Sequence, residues 1–152
     1  MAAKYDVITV ADEVLRLAKA AGMQLSPMKL MKLVYIAHGW HLVIKDSDLF
    51  ANRIEAWKYG PVIPDLYHAT KRFGREDIPP HLIEDEDDNV DADTRDFLKD
   101  VLDKYGQFSA IQLSRKTHVA GSPWDQVYRE GLMGIEIPDS IIEKYYKDLL
   151  NA

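Results

Sequence analysis

The sequence predicts a mainly α-helical fold: a single compact domain over residues 1–152, with six or seven helices and a small two-stranded β element. Three observations predict it. Apolar residues recur at helical spacing in several segments. Many of those segments open on a capping residue or a proline, and several stop at a glycine. Only two short stretches alternate apolar and charged residues as a strand does. A chain of 152 residues that is 47% hydrophobic can build one stable core, and it has no cysteine with which to staple or ligate anything.

The first helix is expected over residues 10–21. Thr9 is placed as its N-cap, Val10, Val14, Leu17 and Ala21 form one apolar face, and Gly22 is the left-handed stop. The second is expected from Ser26 as cap and Pro27 at the first position to Ile44. Apolar residues occupy most of its circumference, which is the pattern of a helix buried among its neighbours. Gly39 within it costs about 1 kcal/mol against alanine, and its use there predicts a close approach by another element.

After the polar turn "KDSD", Ile54 and Ala56 alternate with Glu55 and Trp57 as in a strand, and "GIEIP" at 134–138 is the stretch predicted to pair with it. Pro64 opens a third helix, with Asp65 in its first turn and Gly74 at its end. A long loop follows and includes the acidic run 84–93. A fourth helix is expected over 94–105, stopping at Gly106. Ser109 and Gln112 have capping-box spacing for the fifth. Ser122 and Pro123 start a short sixth, and a closing helix over 139–150 is expected to be capped by Asp139 or Ser140.

The net charge is −6, but the run "EDEDDNVDAD" carries seven acids and no base. The rest of the chain holds 18 acids against 19 bases, so the body is near neutral. The basic excess that generic nucleic-acid binding requires is missing, which argues against a transcriptional regulator. No segment approaches the roughly 20 apolar residues of a membrane span, and no export signal is visible, so a cytoplasmic protein is expected.

Catalytic signatures are scarce. His38 and His41 stand three apart on one helix, a spacing that could share a metal in a hydrolase, but no glutamate lies between them, and Asp46 and Asp48, the further candidate ligands, sit beyond the helix end. Ser109 and Ser122 are accounted for as caps. No glycine-flanked nucleophile and no phosphate-cradling loop is present. No catalytic residue, metal or cofactor is therefore assigned. "RIEAWKYGPVIPDLYHATKRFG", residues 53–74, is instead read as an interface: Pro61 and Pro64 stiffen a turn that carries Trp57 and Tyr59, the large amphipathic side chains that anchor protein contacts. The competing reading of Trp57 is that it packs inward against the second helix. The acidic run is read either as a solvated loop or as an electrostatic contact for a basic partner.

Residues 28–74 closely resemble the Panacea domain, also known as the SocA-like or phage-associated GepA-like family. The match is carried by "KLMKLVYIAHGWHL", the following "LF", "IEAWKYGPVIP" and the "LY" that opens the next helix. A looser match continues through Leu113, Thr117, His118, Pro123 and Trp124. The resemblance implies an antitoxin of a bacterial or phage toxin–antitoxin pair: mainly helical, cofactor-free and non-enzymatic. It implies neutralisation of a cognate toxin, encoded by the adjacent gene, through direct protein–protein binding. Toxins paired with this family are of many classes, and SocA-like members also deliver the toxin to the ClpXP protease. Some members carry a DNA-binding module ahead of the domain, whereas here only one helix is expected before Ser26. A helical domain of this size is also compatible with a homo-oligomer. The expected partner-binding residues are Trp57, Tyr59, Gly60, Pro61, Val62, Asp65 and Tyr67, together with Glu86, Asp87 and Asp88 of the acidic run.

Overall fold

The computed structural model describes residues 5–79 and 89–152. Its elements in chain order are α1 (Val7–Ala20), α2 (Pro27–Ile44), β1 (Glu55–Trp57), β2 (Gly60–Val62), α3 (Pro64–Thr70), α4 (Ala92–Tyr105), α5 (Ala110–Thr117), α6 (Pro123–Val127), β3 (Ile135–Glu136) and α7 (Asp139–Leu150). A 3₁₀ turn, Lys71–Phe73, extends α3 to Gly74. The fold is mainly α, as expected from the sequence.

Helix α2 is the axis. Every residue from Leu30 to Gly39 is buried, including the polar Lys32 and His38. Helices α1, α3, α4, α5 and α7 and strand β2 all pack around it. Ser26 caps it by accepting a hydrogen bond from the Lys29 amide, and Pro27 occupies the first turn, where a missing N–H costs nothing. The close approach predicted at Gly39 is made by α7: the Tyr146 ring occupies the space that a Cβ on Gly39 would need. Trp40 packs edge-on against the same ring at 5.0 Å and donates its indole N–H to the Tyr105 hydroxyl.

Two helix starts and one helix cap differ from the sequence expectation. Helix α1 begins three residues earlier: Asp6 is the N-cap and accepts from the Ile8 amide, while Thr9 is buried inside the helix. The Asn52 side chain accepts the Val7 N–H, a donor left over by the helix start and satisfied from 45 residues away. Helix α4 starts at Ala92 with Asp91 as N-cap, so the end of the acidic run is helix cap and first turn, not loop. Residues 84–88 lie outside the described residues. Helix α7 has no side-chain cap; Asp139 is its first residue and turns its carboxylate toward His38.

The sheet has three strands in the order β2-β1-β3, all antiparallel. Pairing of Ala56 with Ile135 joins the two stretches expected from the sequence. The added strand is "GPV" itself: Trp57 pairs with Gly60 across the two-residue loop Lys58–Tyr59. Pro61 speaks against a strand, yet an edge strand tolerates it. Around this frame the buried carboxylates of Asp12 and Glu13 are neutralised by Arg16, and Glu13 also by Arg95.

The Gly39 packing yields a stability prediction. Although alanine is the better helix former, Gly39→Ala is expected to cost about 2 kcal/mol, because overpacking against the Tyr146 ring outweighs the propensity gain. Urea unfolding checks this; unchanged or higher stability would show that α7 is not seated on that glycine.

Candidate functional site

The Trp57–Val62 hairpin is held from beneath and from the side. Beneath it, Lys32 donates from Nζ to the Pro61 carbonyl at 3.0 Å, and the Ile63 amide donates to the Met31 sulfur at 3.3 Å. From the side, the Trp124 indole N–H donates to the Trp57 carbonyl. Gly60 has φ +126°, a conformation that L side chains avoid, and a Cβ there would also come within 3.0 Å of Lys32 Nζ. The glycine thus permits both the hairpin's bend and the lysine's approach.

Beside the hairpin lies a groove of about 750 Å³. The start of α2 supplies Met28, Met31 and Lys32; the hairpin supplies Trp57, Lys58, Tyr59 and Val62; α3 and the 3₁₀ turn supply Tyr67, Thr70 and Lys71. Ser114 of α5, Tyr128 and the segment from Gly131 to Gly134 complete it. Trp57 meets Tyr67 edge-on at 5.0 Å and donates its own N–H to Glu55 at 2.9 Å, so the ring is fixed before anything binds. Tyr128 stacks on Trp124 at 4.7 Å. At the rim, Tyr59 is 71% and Met133 93% exposed, large apolar surface that the fold does not use.

Lys32 is the electrostatic anomaly of the site. It is 4% exposed, and burial drives its ammonium from the ordinary 10.5 down to about 8. Ion pairs among the described residues do not include it.

Trp57, Tyr59, Val62 and Tyr67 therefore meet at one groove, with Gly60 and Pro61 forming the buried edge strand that supports it. Trp57 is partly buried and lines the groove, with its ring against Tyr67 of α3. Asp65 is elsewhere: exposed, it accepts from the Asn52 side chain at 2.8 Å, and Asn52 in turn contacts Asp6 and Val7 of the α1 start. Glu86, Asp87 and Asp88 lie outside the described residues. Sequence reasoning missed Lys32, Lys71, Ser114, Leu132 and Met133. A lysine inside an otherwise apolar helical face was one available signal, and the apolar pair Leu132–Met133 between Gly131 and Gly134 was another.

His38 and His41 make separate structural contacts. His38 Nε2 lies 2.8 Å from Asp139 Oδ1, with its ring 4.3 Å from Phe50. His41 Nδ1 lies 2.6 Å from the Ser47 carbonyl and its ring meets Phe97. Burial disfavours the Asp139 carboxylate, but the His38 contact outweighs it and lowers its titration; Asp48 is raised by burial and by Asp139 beside it. Among the described residues, no group of three or more His, Asp or Glu is placed to hold a metal. No helix among them is long and apolar enough to cross a membrane.

The chain folds as a mainly helical domain with a proline-stiffened hairpin beside a largely apolar groove, and comparison with known proteins identifies its class. Residues 30–125 match the family model described as "Antitoxin SocA-like, Panacea domain", and the chain belongs to that family. The chain is similar to Antitoxin SocA of Caulobacter vibrioides (strain NA1000 / CB15N), 32% identical over 152 residues that take in 94% of this chain and 81% of the relative. No solved structure matches. Membership supports an antitoxin role and, in general terms, a toxin partner.

The buried lysine makes stability depend on pH. The unfolded chain keeps the Lys32 proton up to about 10.5 and the folded chain loses it near 8, so between these values the unfolded state binds more protons and stability rises with pH. From pH 7 to 9.5 the gain is about 2 kcal/mol. Lys32→Met is expected to lack it, and comparing the two proteins cancels the other groups, including Lys29, lowered by burial, and Tyr35 and Tyr146, both raised by burial. Urea titrations of both proteins at the two pH values check this; parallel pH profiles would disprove it.

Proposed function

We propose that this chain neutralises a cognate protein toxin by direct, stoichiometric protein–protein contact, and that the groove beside the Trp57–Val62 hairpin is the toxin-binding face. Family membership supports the word antitoxin. The single observation that carries the surface is the preformed groove of about 750 Å³, with its rings locked by internal contacts and its rim apolar and exposed. A surface of this kind binds well because little conformational entropy is lost when a partner seats on it. Large, rigid aromatics at the centre of a contact supply most of its energy. On this reading no bond is made or broken within the chain.

The test is co-expression with the product of the adjacent gene. That product is expected to arrest growth alone, to be harmless with this protein present in equal amount, and to co-purify with it one to one. The double substitution Tyr59→Asp with Met133→Asp changes only exposed side chains. It is expected to leave the unfolding curve in place and weaken the complex at least tenfold. A neighbouring product that is harmless alone, or that stays lethal with abundant antitoxin, would overturn the proposal; a double variant that binds normally would move the contact to another face.

A further inference from the structure

We infer that the floor of the groove is a carboxylate subsite, in which Lys32 receives an aspartate or glutamate side chain from a toxin segment whose neighbouring bulky apolar residues fill the rest of the groove. This rests on the groove being the toxin-binding face and names the chemistry of what enters it.

Lys32 has three N–H donors and spends one on the Pro61 carbonyl. It is nearly inaccessible, and the ion pairs among the described residues leave it out, whereas the buried Asp12 and Glu13 are paired with arginines. A buried charge without a counter-ion is costly, and a partner carboxylate brought against it forms the charge-assisted hydrogen bonds its free donors lack. The surroundings agree in sign. The groove is lined by three lysines, Lys32, Lys58 and Lys71, and by no aspartate or glutamate, although the whole chain carries a net charge of −6. A local positive cleft in an acidic protein selects an acidic ligand and repels basic ones.

Apart from Thr70 and Ser114, the remaining walls are mostly apolar or aromatic, formed by side chains such as Met28, Trp57, Tyr67 and Leu132, so the ligand must be greasy as well as acidic. This disfavours a free phosphate or a nucleic acid, whose surfaces would bring unpaired polar atoms against them. It also favours a side chain over a chain terminus. A terminal carboxylate is joined directly to its backbone and would drag peptide amides to the floor, whereas the methylenes of a glutamate reach Lys32 with the backbone still at the rim.

Blocked tetrapeptides test this on the purified protein without any toxin. Acetyl-Leu-Phe-Glu-Leu-amide is expected to bind at least fivefold more tightly than its Gln counterpart, read from NMR shifts of the Gly60 and Val62 amides. Lys32→Met is expected to erase the preference. Equal affinities, absence of saturable binding by the Glu peptide, or a preference that survives Lys32→Met would overturn the inference. So would tighter binding of acetyl-Leu-Phe-Gln-Leu with a free terminal carboxylate, which would assign the site to a chain end. With the toxin itself, Lys32→Met is expected to weaken the complex at least tenfold. Full binding by Lys32→Met alongside failure of the Tyr59→Asp, Met133→Asp variant would sink the carboxylate subsite alone and leave the groove standing as the binding face.

Discussion

An 18-residue helix that is apolar around most of its circumference has little side to give to water, and in this fold every other helix except the short α6 packs against it. Covering α2 from Leu30 to Leu42 takes α1, α3, α4, α5 and α7 together with strand β2. The tight seats follow from it. Gly39 gives up a side chain so that Tyr146 of α7 can lie against the backbone, and three buried polar side chains of α2 find partners close by. His38 finds Asp139, His41 finds the Ser47 carbonyl, and Lys32 finds the Pro61 carbonyl.

That last contact links the core to the candidate site. The hairpin after β1 is short, carries a proline in its edge strand and a glycine at φ +126°, and pairs through only three residue positions. Alone it would be marginal. It holds its shape because α2 grips it through Lys32 and Met31, and because Trp124, from far along the chain, donates to the Trp57 carbonyl. The two blocks of sequence that carry the family resemblance therefore meet at one turn. The strand pair of "WKYGPV" has one side held by α2 and contributes the other to the lining of the groove.

The electrostatics of the surface reverse the impression that composition gives. The acidity of the chain is concentrated in one run, whose described end, Asp91 and Asp93, serves the start of α4. The groove collects cations instead, and one of them is buried. A charge held out of water is a cost that the fold bears, and the proposed carboxylate subsite would put that cost to use by supplying a counter-ion.

Much of this was legible in the sequence. The caps at Ser26, Ser109 and Ser122, the glycine stops, the burial of α2, the close approach at Gly39 and the pairing of residues 54–56 with 134–138 are local rules of backbone geometry and periodicity, which a linear chain displays directly. The aromatic turn was visible as a feature, and four of its side chains do line one groove. What stayed hidden needed partners distant along the chain. Asn52 moved the start of α1, His38 claimed Asp139 at the start of α7, and Leu132 and Met133 joined Trp57 across more than 70 residues. The sequence by itself determined the helical class, the buried axis and the stiff turn, because these depend on neighbours within a few residues. Only the tertiary structure decided that Lys32 lies beneath that turn in a cationic groove, because burial and electrostatic environment belong to groups brought together in space.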